Sequence, residues 1–216
     1  YLLGSRVTNI EISDQKATVR TKSKAGRGLY QAKMAIIASG FGSPLLGMVG
    51  LTKAGASNHM VGIQAEVETN ELKETEVYLG EEISPGSFGW LTPLSGSRAL
   101  IGIASRKRLK GHMDRFTSTL RMKGRVREII KEPRQWGIPI RPLHKTYASR
   151  VLVAGDAAGL VKPTTGGGIY YALLSGEISA DSASESITTD DFSEHSLKKY
   201  QTKWKDLFGG EIKTGY

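Results

Sequence analysis

Cysteine is absent from the 216 residues, which removes disulfide frameworks, thiolate metal sites, iron–sulfur ligation and any cysteine nucleophile at once. No compartment follows from that absence. The four histidines, His59, His112, His144 and His195, stand apart with no metal-like spacing. No metal site is therefore expected, and no general acid is nominated among them. Two phosphate-binding signatures are missing as well. A nucleotide-hydrolase loop needs GxxxxGK followed by Ser or Thr, whereas Lys162 precedes Pro163, and neither Gly40-Phe41-Gly42 nor Gly26-Arg27-Gly28 continues into GxGxxG. Met34 to Thr52 is an uncharged run of 19 residues, but Gly40, Gly42, Gly47, Gly50 and Pro44 break it. Its apolar core, Met34 to Ala38, has only the length of a strand. No charged, apolar and small-residue series opens the chain, so no signal peptide is visible. It opens on Tyr1-Leu2-Leu3-Gly4, without an initiator Met, straight into a strand pattern. A fragment of a longer protein is the expectation.

What is present is an ordinary globular composition, 39% hydrophobic and 24% charged, with one outlier. The 26 glycines make about 12% of the chain, against about 7% in an average protein. The backbone must therefore turn sharply or approach something closely many times. The net charge of +9 is unevenly placed, because residues 105 to 150 hold 14 basic and 3 acidic side chains. Between them stand only three aromatics, Phe116, Trp136 and Tyr147. A nucleic-acid module would add stacking aromatics or a reading motif to such a patch, so no nucleic-acid partner is expected. A solvated basic face, or attraction to an anionic lipid, diphosphate or dinucleotide, explains it better.

Arg6 to Ile12 and Ala17 to Thr21 alternate apolar and polar around Ser13-Asp14-Gln15, which predicts a β-hairpin. Leu29 to Ala38 closes that element and ends in Ala35-Ile36-Ile37-Ala38, a run expected of a strand buried on both faces. Met60 to Val67, Glu76 to Leu79, Phe88 to Pro93 and Ala99 to Ala104 read as mostly antiparallel strands. His112 to Lys131 reads as a helix with Met113, Phe116, Leu120, Val126 and Ile130 on one face, against which Gly124 counts. Arg150 to Ala154 is a second buried-type strand. Ile169 to Ile187 predicts a helix with Ile169, Leu173, Ala180, Ala183 and Ile187 at helical spacing, and with Gly176, Ser175 and Ser179 keeping its surface small enough for close packing on a sheet. Asp191-Phe192-Ser193-Glu194 resembles a capping box before a last helix with Leu197, Tyr200, Trp204 and Leu207 as its apolar stripe.

The chemistry concentrates in Val151 to Gly168, VLVAGDAAGLVKPTTGGG. A buried strand ends at Gly155-Asp156, and a glycine triplet opens a helix a few residues later. The carboxyl end of a strand places Asp156 at the rim of a sheet, where its carboxylate can accept two hydrogen bonds from a polyol. Gly166, Gly167 and Gly168 would present backbone N–H groups at a helix start, where the dipole favours negative charge.

The stretch GDAAGLVKPTTGGGIYYALLSG closely resembles the second flavin-binding motif of the geranylgeranyl reductase family, FAD-dependent oxidoreductases of the p-hydroxybenzoate hydroxylase-like fold. AKMAIIASGFGSPL resembles that family's strand and turn before its substrate domain, and PGSFGWLTPLSGSRALIGI its PxxYxWxFP pocket motif. The resemblance covers nearly the whole chain, and what it lacks would lie before Tyr1: an amino-terminal dinucleotide-binding unit and a Cys-containing motif. The fold implied is α/β (α+β), a partial FAD-binding α/β domain with an inserted, mostly antiparallel β-sheet substrate domain. Residues 1–47 and 143–190 would belong to the flavin domain, 48–142 to the substrate domain, and 191–216 would begin a carboxyl-terminal helical region.

By the same resemblance, Ala38, Gly155, Asp156, Gly166, Gly167, Gly168 and Ile169 would contact FAD. Pro85, Trp90 and Pro93 match the pocket motif, while Phe88 stands for its Tyr and Thr92 for its Phe, so Phe88, Trp90, Thr92 and Pro93 would line the substrate site. The implied activity is reduction of carbon–carbon double bonds of an isoprenoid chain by hydride from reduced flavin, with NAD(P)H or another reductant as donor. The substrate would be an isoprenoid lipid or prenyl diphosphate, the location cytoplasmic, with peripheral contact to an anionic membrane. A flavin monooxygenase or halogenase of the same fold, or a non-catalytic basic binding module, are the competing readings. The 216 residues alone are expected to be inactive.

Overall fold

The computed structural model describes residues 1–51, 59–70, 72–107, 109 and 111–214. In chain order the elements are β1 (Arg6–Ile12), β2 (Ala17–Ser23), β3 (Gly26–Ala32), β4 (Ala35–Ile37), α1 (Leu45–Met48), β5 (His59–Thr69), β6 (Glu76–Leu79), β7 (Phe88–Pro93) and β8 (Arg98–Ser105). There follow α2 (His112–Met122), β9 (Val126–Pro139), β10 (Tyr147–Ala148), β11 (Val151–Val153), α3 (Ile169–Thr189), α4 (Glu194–Trp204) and α5 (Gly210–Lys213). They divide into two units, one of residues 1–57 and 139–216, the other of residues 58–138. The mixed α/β architecture with antiparallel sheets is the one expected.

In the first unit β1, β2 and β3 form an antiparallel meander, and a second sheet has the order β10-β11-β4 with β11 parallel to β4. The expected single element from Leu29 to Ala38 is therefore two strands in two sheets. Arg150 accounts for the break: its guanidinium donates to the Lys33 carbonyl at 2.8 Å and to the Asp14 carbonyl in the hairpin turn. Its own carbonyl accepts from Ala35 N–H at 2.8 Å, so the chain leaves one sheet and enters the other at this side chain. β11 is wholly buried as its apolar run implies, but Ile36 in β4 is exposed, so β4 is covered on one face only.

Helix α4 is fastened onto β11 and the residue before β10 by polar as well as apolar contacts. The buried Tyr200 hydroxyl donates to the Val153 carbonyl at 2.7 Å and Trp204 Nε1 donates to Thr146 Oγ1 at 2.9 Å. Each removes a polar group that burial would otherwise penalise. Ser193, not Asp191, is the cap of α4, accepting from Ser196 N–H at 3.2 Å. A π-helical turn over Lys205–Gly209 shifts the phase of the following residues, so Phe208 and Ile212 are buried and the expected stripe residue Leu207 is exposed.

The face of α3 agrees with the expectation at Ser175 and Ser179 and differs at its large apolar residues. Its buried residues are Tyr171, Ser175, Ser179, Ser182 and Ser186, whereas Ile169 and Leu173 are 83% and 70% exposed. Small serines allow the helix axis to approach its neighbours closely, and Ser175 Oγ accepts from Gly155 N–H at 3.0 Å.

The second unit is a five-stranded sheet of order β6-β7-β8-β5-β9 with α2 against one face. Odd-numbered residues of β5 and β8, such as Val67, Ile101 and Ile103, join Met113, Phe116 and Leu120 of α2 in its core. The helix expected to reach Lys131 stops at Met122. Gly124 has φ +67°, a left-handed conformation that ends a helix without strain, and the chain continues as β9. Five basic side chains of this region are matched by acids of β5 and β6 and the segment after them. Arg125 pairs with Glu76, Arg127 with Glu68, Lys131 with Glu66, Lys107 with Glu81 and Arg115 with Glu82.

Candidate functional site

The parallel register Val151↔Ala35, Leu152↔Ile36 and Val153↔Ile37 brings both strands to an end at the same edge. Ala154 N–H donates to the Ile37 carbonyl at 3.0 Å, and Ala38 lies one residue beyond that pair. Gly155 to Ala158 turn into a single 3-10 turn, which carries Asp156 at the rim. The chain returns through a tight loop in which Lys162 N–H donates to the Gly167 carbonyl at 3.0 Å and Gly166 N–H to the Lys162 carbonyl at 2.9 Å. α3 then starts after Gly168. Ala38, Gly155, Asp156, Gly168 and Ile169 are thus gathered at one edge of the first unit, with Gly166 and Gly167 in the adjoining loop.

Contact between Asp156 and Gly168 is close: a Cβ on Gly168 would stand 2.5 Å from Asp156 Oδ1 and 3.3 Å from Val161 Cγ2. Gly155 is similarly packed against Ala172 of α3, at 3.2 Å from a would-be Cβ. The Asp156 carboxylate is half-buried, and no hydrogen bond or ion pair holds it among the described residues. Burial alone pushes its pKa up, because a carboxylate losing water without gaining a donor favours its neutral form. An acceptor pair held ready without an internal partner suits a ligand rich in hydroxyls.

The glycine triplet differs in detail from the expectation that all three N–H groups are presented. Gly166 N–H is used within the loop, and Gly167 N–H reaches Thr165 Oγ1 at 3.3 Å. Gly168 and Ile169 open α3, whose own bonding begins with Ala172 N–H to the Gly168 carbonyl at 2.8 Å. Their N–H groups are therefore the ones the helix itself leaves over. One turn further along, Tyr171 donates to Glu211 Oε2 at 2.7 Å, and burial with that carboxylate pushes the phenol up to about 12. Tyr171 thus stays protonated at neutral pH.

Phe88, Trp90, Thr92 and Pro93 lie in β7 of the second unit. Phe88, Trp90 and Thr92 share the face opposite α2 and none of them belongs to the core, whereas Pro93 points the other way along the strand. Phe88 and Trp90 rings are 5.9 Å apart, Trp90 Nε1 donates to Gln64 Oε1 at 3.2 Å, and Thr92 Oγ1 accepts from Thr75 at 3.5 Å. Pro85 lies before the strand, its carbonyl accepting from Ser105 Oγ at 2.6 Å. On the same face Trp136 of β9 lies over Gly62, a neighbour concealed in the sequence because Val126 to Lys131 reads as the end of a helix and the stretch beyond it, with Trp136, shows no strand pattern. The alternation of Gly62 and Gly102 with large residues in their strands was the available signal. Among the described residues, no group of three or more His, Asp or Glu could hold a metal ion, and no helix is long and apolar enough to cross a membrane.

A family model described as lycopene cyclase protein matches residues 1–215. The chain belongs to this family. Within it, the resemblance to geranylgeranyl reductases is borne out by named relatives. A digeranylgeranylglycerophospholipid reductase of Methanococcus vannielii is 32% identical over 213 residues, 94% of this chain and 54% of that protein. The same-named protein of Methanocaldococcus jannaschii is 37% identical over 145 residues, 65% of this chain and 37% of that protein. The structure of a geranylgeranyl bacteriochlorophyll reductase-like protein of Thermoplasma acidophilum superposes with a TM-score of 0.84 at 26% identity, over 96% of this chain and 55% of that one. The flavin-dependent halogenase CmlS shares the fold at a TM-score of 0.74 and 15% identity, over 95% of this chain and 40% of that one. The chain spans about half the length, or less, of these relatives.

Proposed function

We propose that the protein containing this chain is an FAD-dependent oxidoreductase that reduces carbon–carbon double bonds of a geranylgeranyl-type isoprenoid chain. The observation that carries the reading is the Asp156 carboxylate, half-buried, without an internal partner, and packed on a glycine that leaves no room for a side chain. The residues present fit a flavin: Asp156 can accept from the hydroxyls of its ribityl chain, and the Gly168 and Ile169 N–H groups are left over by the helix's own bonding at the positive end of a 21-residue helix. Hydride chemistry is what the flavin supplies when bound. The small, exposed Ala38 keeps the rim low, so that a large planar group can lie against backbone, while Gly155 lets α3 approach the strand end. Phe88 and Trp90, with Thr92 on the same face, would shape a wall for the substrate, and Pro93, directed to the other face, would act only by closing the strand. NAD(P)H or another reductant must supply the electrons. The substrate would be an isoprenoid lipid or prenyl diphosphate, met in the cytoplasm or at the surface of an anionic membrane.

The names of the relatives support reduction. The description of the matched family model favours a second reading, cyclisation of an isoprenoid, which rearranges bonds without net reduction. Flavin retention tests the site. Purified parent protein should carry FAD absorbance, and Asp156→Ala should lower its affinity for FAD tenfold or more, since a hydrogen bond to a charged group contributes about 1.5 to 3 kcal/mol. Unchanged retention in Asp156→Ala would remove the basis of the assignment.

A further inference from the structure

Two tryptophans lean over the middle of the second unit's sheet from opposite sides. Trp90 of β7 lies over Gly102 of β8, where a Cβ would come within 2.2 Å of its ring, and Trp136 of β9 lies over Gly62 of β5, where a Cβ would come within 2.7 Å. Register puts all four on one face: Trp90 pairs with Gly102, Gly102 with Gln64, and Gly62 with Ala104, two residues along. β7, β8, β5 and β9 are successive strands, so at about 4.8 Å per strand the floor is roughly 14 Å across. Both glycines are the condition for it, because any side chain there would lift the indoles off the sheet.

This floor is not spent on the unit's own core. Trp136 is 40% exposed, and Phe88 and Trp90 lie outside the core formed with α2. Trp90 satisfies its ring donor on Gln64, so it offers a flat face without a waiting polar group. One end of the face is marked by charge, where Glu66 pairs with both Arg98 and Lys131. A flat apolar floor with a charged end matches a long apolar chain carrying a polar head, and planar alkene units lie flat on aromatic faces by dispersion.

We propose that Trp136, together with Trp90, is a substrate-contacting residue that holds an isoprenoid chain against the sheet, with Gly62 and Gly102 setting the depth of the seat. This rests on the isoprenoid reading above. A packing device that merely covers glycines would look similar in outline, and the two roles separate on ligand affinity. The test uses the flavin-loaded parent protein titrated with geranylgeraniol, without reductant, following heat of binding and tryptophan emission. Trp136→Ala is expected to weaken the dissociation constant about tenfold or more, and Trp136→Phe to recover most of that loss. Gly62→Ala should weaken binding in the same direction while keeping the tryptophan. Wild-type affinity in both Trp136→Ala and Gly62→Ala overturns the proposal. If Trp90→Ala then still weakens binding, the isoprenoid reading stands without Trp136. A wild-type protein that binds no geranylgeraniol overturns both.

Discussion

Asp156 Oδ1 occupies the space that a Cβ on Gly168 would approach to 2.5 Å. The strand β11 delivers the acid and the start of α3 delivers the glycine, so the two ends of the motif define one another's position. Gly168→Ala should therefore turn the carboxylate away without unfolding the chain, since a side chain yields more readily than backbone. Flavin titration of this variant is expected to show at least a tenfold weaker complex; wild-type affinity would mean the carboxylate does not reach the flavin.

Acid titration gives an independent handle on Asp156. Its pKa is raised by burial on folding, so the folded state binds the proton more tightly than the unfolded one. Stability is fully present below the unfolded pKa and is lost as pH rises through the folded value. Asp156→Asn removes that loss: the flavin-free variant should melt higher than wild type at neutral pH and the difference should vanish in acid. On the proposed reading the same substitution is expected to weaken flavin binding. Thermal melts of both proteins across that range, without flavin, decide it; an Asn variant that melts lower at neutral pH contradicts the account.

Gly102→Ala is expected to destabilise the second unit by about 1 to 3 kcal/mol, because its Cβ would meet the Trp90 ring and stand 2.8 Å from the Ile63 carbonyl oxygen. Denaturant unfolding measures this. A neutral outcome would show that Trp90 is free to leave the sheet.

In the first unit Tyr200→Phe should cost about 1 to 3 kcal/mol, since it leaves the buried Val153 carbonyl without its 2.7 Å donor. Unchanged unfolding free energy would mean that water takes the place of the hydroxyl.

Charge reversal separates structure from recognition in the basic segment. Arg125 and Arg127 are paired with Glu76 and Glu68, so Arg125→Glu and Arg127→Glu should lower the melting temperature. Arg121, at the exposed end of α2, has no such pair among the described residues, and Arg121→Glu should leave the melting temperature unchanged. If Arg121 attracts an anionic substrate or membrane, its reversal and added salt should both raise the Michaelis constant. A Michaelis constant indifferent to salt assigns the patch to solvent.

Much of this was legible in the sequence where apolar runs met turn residues: the buried β11 ran directly into Gly155-Asp156, and the alternating strands β5 to β8 fell at their expected places. Elsewhere the pattern supported two structures. Val126 and Ile130 fit a helix continuing from α2 as well as the strand β9, and the left-handed backbone at Gly124 decided between them. Trp136 lies beyond the expected helix, in a stretch with no strand pattern of its own, so its place on the sheet was not legible. The close packing of α3 through Ser175 and Ser179 is legible from their small size, but the apolar spacing points to Ile169 and Leu173, which are exposed, and not to Ser182 and Ser186, which complete the buried face. The break at Lys33 depends on Arg150, more than a hundred residues away, and no local pattern could show it.

The most direct test of the central claim is the mass of the product. Parent protein with its flavin reduced anaerobically would be mixed with a geranylgeranylated glycerophospholipid and the lipid analysed by mass spectrometry. The account predicts a gain of two hydrogens for each double bond acted on, lost in Asp156→Ala at limiting flavin. A product of unchanged mass and altered retention would be an isomer, the signature of cyclisation, and would contradict it.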